Sequence, residues 1–148
     1  MYSYSLDPDA IAYITGGQDD TPLRGEVEFF QKPNGVLVKA HFSGLPTHNS
    51  SGFFSLHIHE GDSCSGAGFS DTKSHYNPTE APHPNHAGDL PPLLSNNGTA
   101  YLAVLTHRFS VKDVIGRTVV IHDSPDDFHS QPSGNAGAKI ACGVIVRS

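Results

Sequence analysis

The most constraining feature of this sequence is its punctuation. Fifteen glycines and eleven prolines cut the chain into short runs, and nowhere does an apolar stripe of period 3.6 persist long enough to build an amphipathic helix. The chain therefore reads as all-β. Strands are expected over 10–15, 25–31, 36–43, 52–60, 99–105, 118–122 and 140–146, each rich in β-branched or aromatic residues and bounded by turn formers. Lys32-Pro33-Asn34-Gly35 supplies a hairpin turn between the second and third. Short strands at even spacing, with long loops at one end, point to a sandwich or barrel. A length of 148 residues suits one domain spanning 1–148, large enough for its own core.

Charge and hydropathy narrow the partners. The formal charge is −6 and the nine Lys and Arg residues are scattered, so no basic stripe exists to neutralise a phosphate backbone, and nucleic acid is not an expected partner. No run approaches the roughly 20 apolar residues that span a bilayer. The start, Met1 to Asp7, has neither a basic n-region nor an apolar h-region. A cytoplasmic protein is expected, or a secreted or periplasmic one if a leader was removed.

Two segments, 61–95 and 123–139, do not fit the strand pattern. Loops of that length in a compact domain carry function or are tied down by something else. The composition suggests what: ten histidines against two cysteines and no tryptophan. A single histidine is more often a surface or satisfied core residue, so position has to decide. In the 52–60 strand, alternation puts Phe54, Leu56 and Ile58 on one face and Phe53, Ser55, His57 and His59 on the other. Two imidazoles at i and i+2, about 7 Å apart at their Cα atoms, can converge on one ion. Taken alone, the pair is equally a polar stripe facing solvent.

The loop that follows carries His75, His83, His86 and Asp89, separated by seven, two and two residues. Three imidazoles and a carboxylate make a closed set suited to tetrahedral zinc without cysteine; a polar loop that happens to be histidine-rich is the bland alternative. His122 ends the 118–122 strand. With His57, His59 and His75 it completes an all-imidazole set of the kind copper(II) favours. His75 then belongs to both sets, one ring nitrogen for each metal. The remaining histidines, His41, His48, His107 and His129, have no such partners in sequence and are read as structural or surface residues. Asp126 and Asp127 are either a solvated acidic pair or a source of hydrogen bonds that orient ligand imidazoles. Cys64 and Cys142 lie in no Cys-x-x-Cys motif. A disulfide is the economical reading, with two unpaired thiols as the alternative.

The sequence resembles the copper/zinc superoxide dismutases over almost its whole length. The resemblance rests on Leu-Arg-Gly-Glu-Val-Glu-Phe at 23–29, Phe-Ser-Gly-Leu-Pro at 42–46 and Leu-His-Ile-His-Glu at 56–60. It continues through His-Tyr-Asn-Pro at 75–78, His-Ala-Gly-Asp-Leu at 86–90, Ile-Gly-Arg-Thr-Val-Val-Ile-His at 115–122 and Gly-Asn-Ala-Gly-Ala-Lys-Ile-Ala-Cys-Gly-Val-Ile at 134–145. It implies a Greek-key β-barrel, an immunoglobulin-like sandwich, with two long functional loops roofing the active channel. It further implies copper on His57, His59, His75 and His122, and zinc on His75, His83, His86 and Asp89. Asp126 would hydrogen-bond His57 and His83, Cys64 would pair with Cys142, and superoxide would be converted to oxygen and peroxide with His75 carrying a proton. Members of the family pair through different faces, which leaves a homodimer open.

Two departures stand out. Where the family places an arginine at the mouth of the copper site this chain has Lys139, which keeps the charge but loses the planar two-donor fork. The second loop also lacks the charged cluster of eukaryotic members. These departures are the sole support for an alternative, a copper- and zinc-binding protein of the same fold with little dismutase activity. A zinc hydrolase ranks last, because it needs an open zinc position and the loop's set is closed.

Overall fold

The computed structural model describes residues 7–148; residues 1–6, and with them most of the Met1–Asp7 start that bears on an export signal, lie outside the described residues. Among the described residues nine strands form in chain order: β1 Ala10–Gly16, β2 Arg24–Lys32, β3 Gly35–Ser43, β4 Phe53–Phe54, β5 Leu56–His59, β6 Leu93–Leu94, β7 Ala100–Thr106, β8 Thr118–His122 and β9 Lys139–Arg147. Seven of them make one curled antiparallel sheet in the order β5-β8-β9-β1-β2-β3-β7, while β4 and β6 pair separately. Three connections carry the chain across the sheet: β3 to β5 by way of β4, β5 to β7 by way of β6, and β7 to β8. Hairpins join β1 to β2, β2 to β3 and β8 to β9 on either side of these crossings, which is the Greek-key pattern.

The strands form where alternation predicts. In β3 the buried residues are Val36, Val38, Ala40 and Phe42, every second position, and in β2 Val27 and Phe29 do the same. These side chains meet Leu56 and Ile58 of β5, Val119 and Ile121 of β8 and Ile145 of β9 in one core cluster. The hairpin at Pro33-Asn34 is present, with Lys32 opposite Gly35.

Three features differ from the sequence expectation. The 52–60 strand is broken at Ser55. Phe53–Phe54 pairs with Leu93–Leu94, whereas Leu56–His59 pairs with β8. At the break, Ser55 gives both its N–H (3.1 Å) and its hydroxyl (2.7 Å) to the Ser124 carbonyl, so the second loop takes the place of a neighbouring strand. Leu93–Leu94 lies inside the stretch expected to be loop, because a two-residue strand shows no alternation. A four-residue helix, α1 Val111–Val114, opens on Asp113 accepting from both the amide (2.9 Å) and the hydroxyl (2.8 Å) of Ser110. It is too short to display a helical period. None of the helices among the described residues is long and apolar enough to cross a membrane.

Candidate metal centre

β5 is an edge strand of the main sheet, and its outer edge is covered by the long loop rather than by a strand. Ile58 donates to the Gly88 carbonyl and accepts from the Tyr76 amide, both at 2.8 Å, and Glu60 donates to Ser74 at 2.8 Å. This lacing sets His75 opposite His59 and Asp89 opposite His57 in two isolated bridges. Gly88 is required here, because a Cβ would collide with the Ile58 carbonyl. The loop also contains a short 3-10 segment, Ala67–Thr72, tied to the last strand by the Cys64–Cys142 disulfide (S–S 2.08 Å). The economical reading of the cysteines holds.

Six of the ten histidines are brought together and buried: His57, His59, His75, His83, His86 and His122. The other four stand apart and exposed, as expected; His48 pairs with Asp123 at 2.7 Å. Ligand atoms of His57, His59, His75 and His122 all lie within 4.8 Å of one another. A second such set comprises His57, His75, His83 and Asp89. His86 joins this second centre through Nδ1, which is 3.1 Å from His75 Nδ1 and 3.2 Å from Asp89 Oδ2.

Hydrogen bonds on the far side of each ring fix which nitrogen is left. His59 Nδ1 donates to the Lys73 carbonyl at 2.9 Å and His122 Nδ1 to the Gly137 carbonyl at 3.2 Å. Their Nε2 atoms therefore carry lone pairs, yet they face each other at 3.1 Å. His57 Nε2 donates to Asp126 Oδ2 at 2.9 Å and His83 Nε2 to Asp126 Oδ1 at 2.8 Å. That leaves His57 Nδ1, which like His75 Nε2 is buried without a hydrogen-bond partner, and His83 Nδ1, which makes no hydrogen bond and is buried 3.0 Å from the Asp89 Oδ2 carboxylate oxygen, an acceptor like itself. Buried lone pairs that converge with no proton between them are costly unless a cation sits among them. The geometry thus offers Nδ1 of His57 and Nε2 of His59, His75 and His122 to one ion. It offers Nδ1 of His75, His83 and His86, with the Asp89 carboxylate, to another. The donor sets fit copper and zinc respectively.

The electrostatics agree. Burial pushes His57 down to about 4 and His122 down to about 3, and it lowers His59 as well. The rings are thus held neutral, the form that binds metal. Asp126 is opposed by burial, but the donors from His57, His83 and the Phe128 amide bring its carboxyl well below the usual range. Of the acidic pair, Asp126 is the one that accepts from the buried imidazoles. Asp127 turns back onto its own loop, accepting from the His129 and Ser130 amides at 2.9 and 2.8 Å. Gly134, at φ +72°, lies against Asp126; a Cβ there would collide with the carboxylate and crowd the His83 ring.

Lys139 opens β9. The β8–β9 register shifts between Ile121 and His122, which sets His122 opposite Lys139. Its ammonium donates to Thr72 Oγ1 at 2.7 Å and to the Lys73 carbonyl at 2.9 Å. Burial lowers its pKa, and its charge in turn depresses His59 and His122. Lys139 lines a cleft of about 460 Å³ together with His59, His75, His86 and His122. Sequence reasoning missed the supports: Thr72, the Lys73 carbonyl, Arg108, which donates to the Pro84 (2.7 Å) and His86 (3.2 Å) carbonyls, and Gln131. Most act on backbone carbonyls, which carry no residue signature.

Comparison with known proteins agrees with this geometry. The family described as copper/zinc superoxide dismutase matches residues 23–145. Two superoxide dismutases [Cu-Zn] of Aquifex aeolicus are 35% and 38% identical to this chain; the alignments cover 97% and 98% of it and 90% and 93% of the relatives. An extracellular superoxide dismutase [Cu-Zn] of Drosophila melanogaster is 36% identical, over 92% of this chain and 83% of its own. Among solved structures, a double mutant of a SOD-like protein from Bacillus subtilis superposes with a TM-score of 0.77 at 25% identity, covering 96% of this chain and 99% of that one.

Proposed function

This chain belongs to the copper/zinc superoxide dismutase family; it is a superoxide dismutase that uses copper and zinc, and we propose that His57, His59, His75 and His122 hold the copper while His75, His83, His86 and Asp89 hold the zinc. The observation that carries the assignment is the pattern of ring nitrogens. Three of them, His57 Nδ1, His75 Nε2 and His83 Nδ1, are buried without a hydrogen bond and lie among the other candidate ligand atoms, His83 Nδ1 being 3.0 Å from the Asp89 carboxylate.

When bound, copper supplies the one-electron exchange with superoxide and zinc supplies a fixed positive charge. His75 stands between the two centres, with Nδ1 beside Asp89 (2.8 Å) and His86 and Nε2 on the side of His57, His59 and His122. When its Nε2 is not taken up by copper, that nitrogen would hold the proton passed to the departing peroxide, while Nδ1 stays on the zinc side. Asp126 keeps His57 and His83 in the tautomer that points Nδ1 at the metals. Lys139 sets one positive charge at the cleft that contains His59, His75 and His122, where it attracts a small anion. That position supports the enzyme over a metal store, whose case rested on the replacement of arginine and on the second loop without its charged cluster. Of the two compartments open to the sequence, the disulfide favours an oxidising one outside the cytosol.

The test is metal content and superoxide dismutation on one sample loaded with both ions and on the same sample holding zinc alone. Copper-dependent turnover is expected. Two metals bound with no turnover would refute the reading.

A further inference from the structure

The second loop reaches the zinc set at His83 in two ways. Asp126 holds the ring, and Gln131 holds the backbone. Gln131 Oε1 accepts the His83 N–H at 2.9 Å, and Gln131 Nε2 donates to the His83 carbonyl at 2.8 Å. The side-chain amide thereby presents to His83 the same donor and acceptor that a neighbouring strand would present. Its second N–H goes to the His129 carbonyl at 3.0 Å, so both donors of the amide are engaged.

The stretch around His83 has no strand beside it, and amide side chains replace the missing ladder. Asn77 makes the same two-point contact with Ala81, at 2.9 Å in each direction. Asn77 belongs to the zinc loop itself, whereas Gln131 comes from the opposite loop. Gln131 is also exposed and contributes nothing to the core. Its hydrogen bonds are spent on the backbone of one metal-site residue and on its own loop.

We propose that Gln131 is a positioning residue of the zinc centre: it locks the His83 backbone to the second loop, so that the Asp126 carboxylate and the His83 ring meet without searching. The inference rests on His83 being a zinc ligand. In the absence of Gln131 the loop bearing His83 has to be ordered when zinc binds, and that cost appears as weaker zinc and unaltered copper.

Gln131→Met keeps the length and bulk of the side chain and removes all three hydrogen bonds. Fully loaded protein is titrated with a chelator while released zinc and copper are counted separately. Zinc should be half-released at about tenfold lower chelator concentration, as for other residues that support a ligand from behind. Copper release should not move, and cobalt(II) placed in the zinc centre should show altered visible bands. Gln131→Glu, which sets a carboxylate against the His83 carbonyl, should lose at least as much. His83→Ala runs in parallel: undiminished zinc in that variant refutes His83 as a ligand. Zinc lost from His83→Ala yet held at wild-type strength by Gln131→Met overturns the role of Gln131 alone. Equal losses of copper and zinc, with a matching fall in the melting temperature of the metal-free protein, also overturn it and make Gln131 a general brace.

Discussion

Removing the Asp126 carboxylate should separate the two metals. Asp126 accepts from His57 Nε2 at 2.9 Å, from His83 Nε2 at 2.8 Å and from the Phe128 amide at 2.7 Å. His57 lies on β5, whose backbone is paired with β8 on one side and laced to the loop on the other, and its ring is fully buried. It keeps its place without Asp126. His83 lies on a loop, as do the other three zinc residues, so the zinc set depends more on what holds each ring from behind. Loss of such a partner weakens metal binding about 10- to 100-fold, or about 1.4 to 2.7 kcal/mol. In Asp126→Ala that loss should fall on zinc, with copper changed by a smaller factor, measured by chelator competition on the doubly loaded protein with element-resolved release. Asp126→Asn is the sharper control. An amide has one acceptor where the imidazoles bring two N–H groups, so it cannot restore both contacts. Wild-type retention of zinc in Asp126→Ala, or of both metals with unchanged visible spectra in Asp126→Asn, would refute the assignment of Nε2–H to His57 and His83, and with it the choice of ligand atoms.

Three further outcomes follow from the same geometry. Lys139 spends two of its three N–H donors on Thr72 and Lys73, so Lys139→Arg, which has five donors in a planar fork, should raise the dismutation rate severalfold and tighten azide binding at copper; an unchanged or lower rate counts against a guiding role. In the metal-free protein, His57 and His122 are held at about 4 and about 3 against the usual 6.5, so the unfolded chain takes up protons that the fold refuses. Stability should therefore fall as pH drops below 6.5 and level off near those lower values, losing roughly 4 kcal/mol between pH 7.5 and 5 for the pair. Urea midpoints that stay flat across that range would contradict the burial argument. The Cys64–Cys142 disulfide closes a separation of 78 residues, and Cys64→Ser should cost about 4.5 kcal/mol on the chain-entropy model. A loss well under half of that, read from denaturant unfolding, would mean that the loop is ordered by other contacts.

What could be read from the sequence was whatever has a period or a chemical signature. The alternation in β2 and β3 gave their buried faces, and the spacing of His57, His59, His75, His83, His86, Asp89 and His122 pointed to the residues that the fold brings together, because only a few side chains can bind these metals. Elements shorter than their own period could not be read: Leu93–Leu94 is two residues long and Val111–Val114 is one helical turn. Ser55 was placed within a continuous strand because its side chain gives no sign that its backbone changes partner. The supports of the site were hidden for a related reason. The Lys73 carbonyl receives both His59 Nδ1 and Lys139 Nζ, and any residue at 73 would offer a carbonyl. Lys73 sits at φ 62°, ψ −141°, a conformation that suits glycine, so the site sets the backbone there against the preference of the residue. Local sequence and local structure disagree at the position whose carbonyl accepts both the His59 imidazole and the Lys139 ammonium.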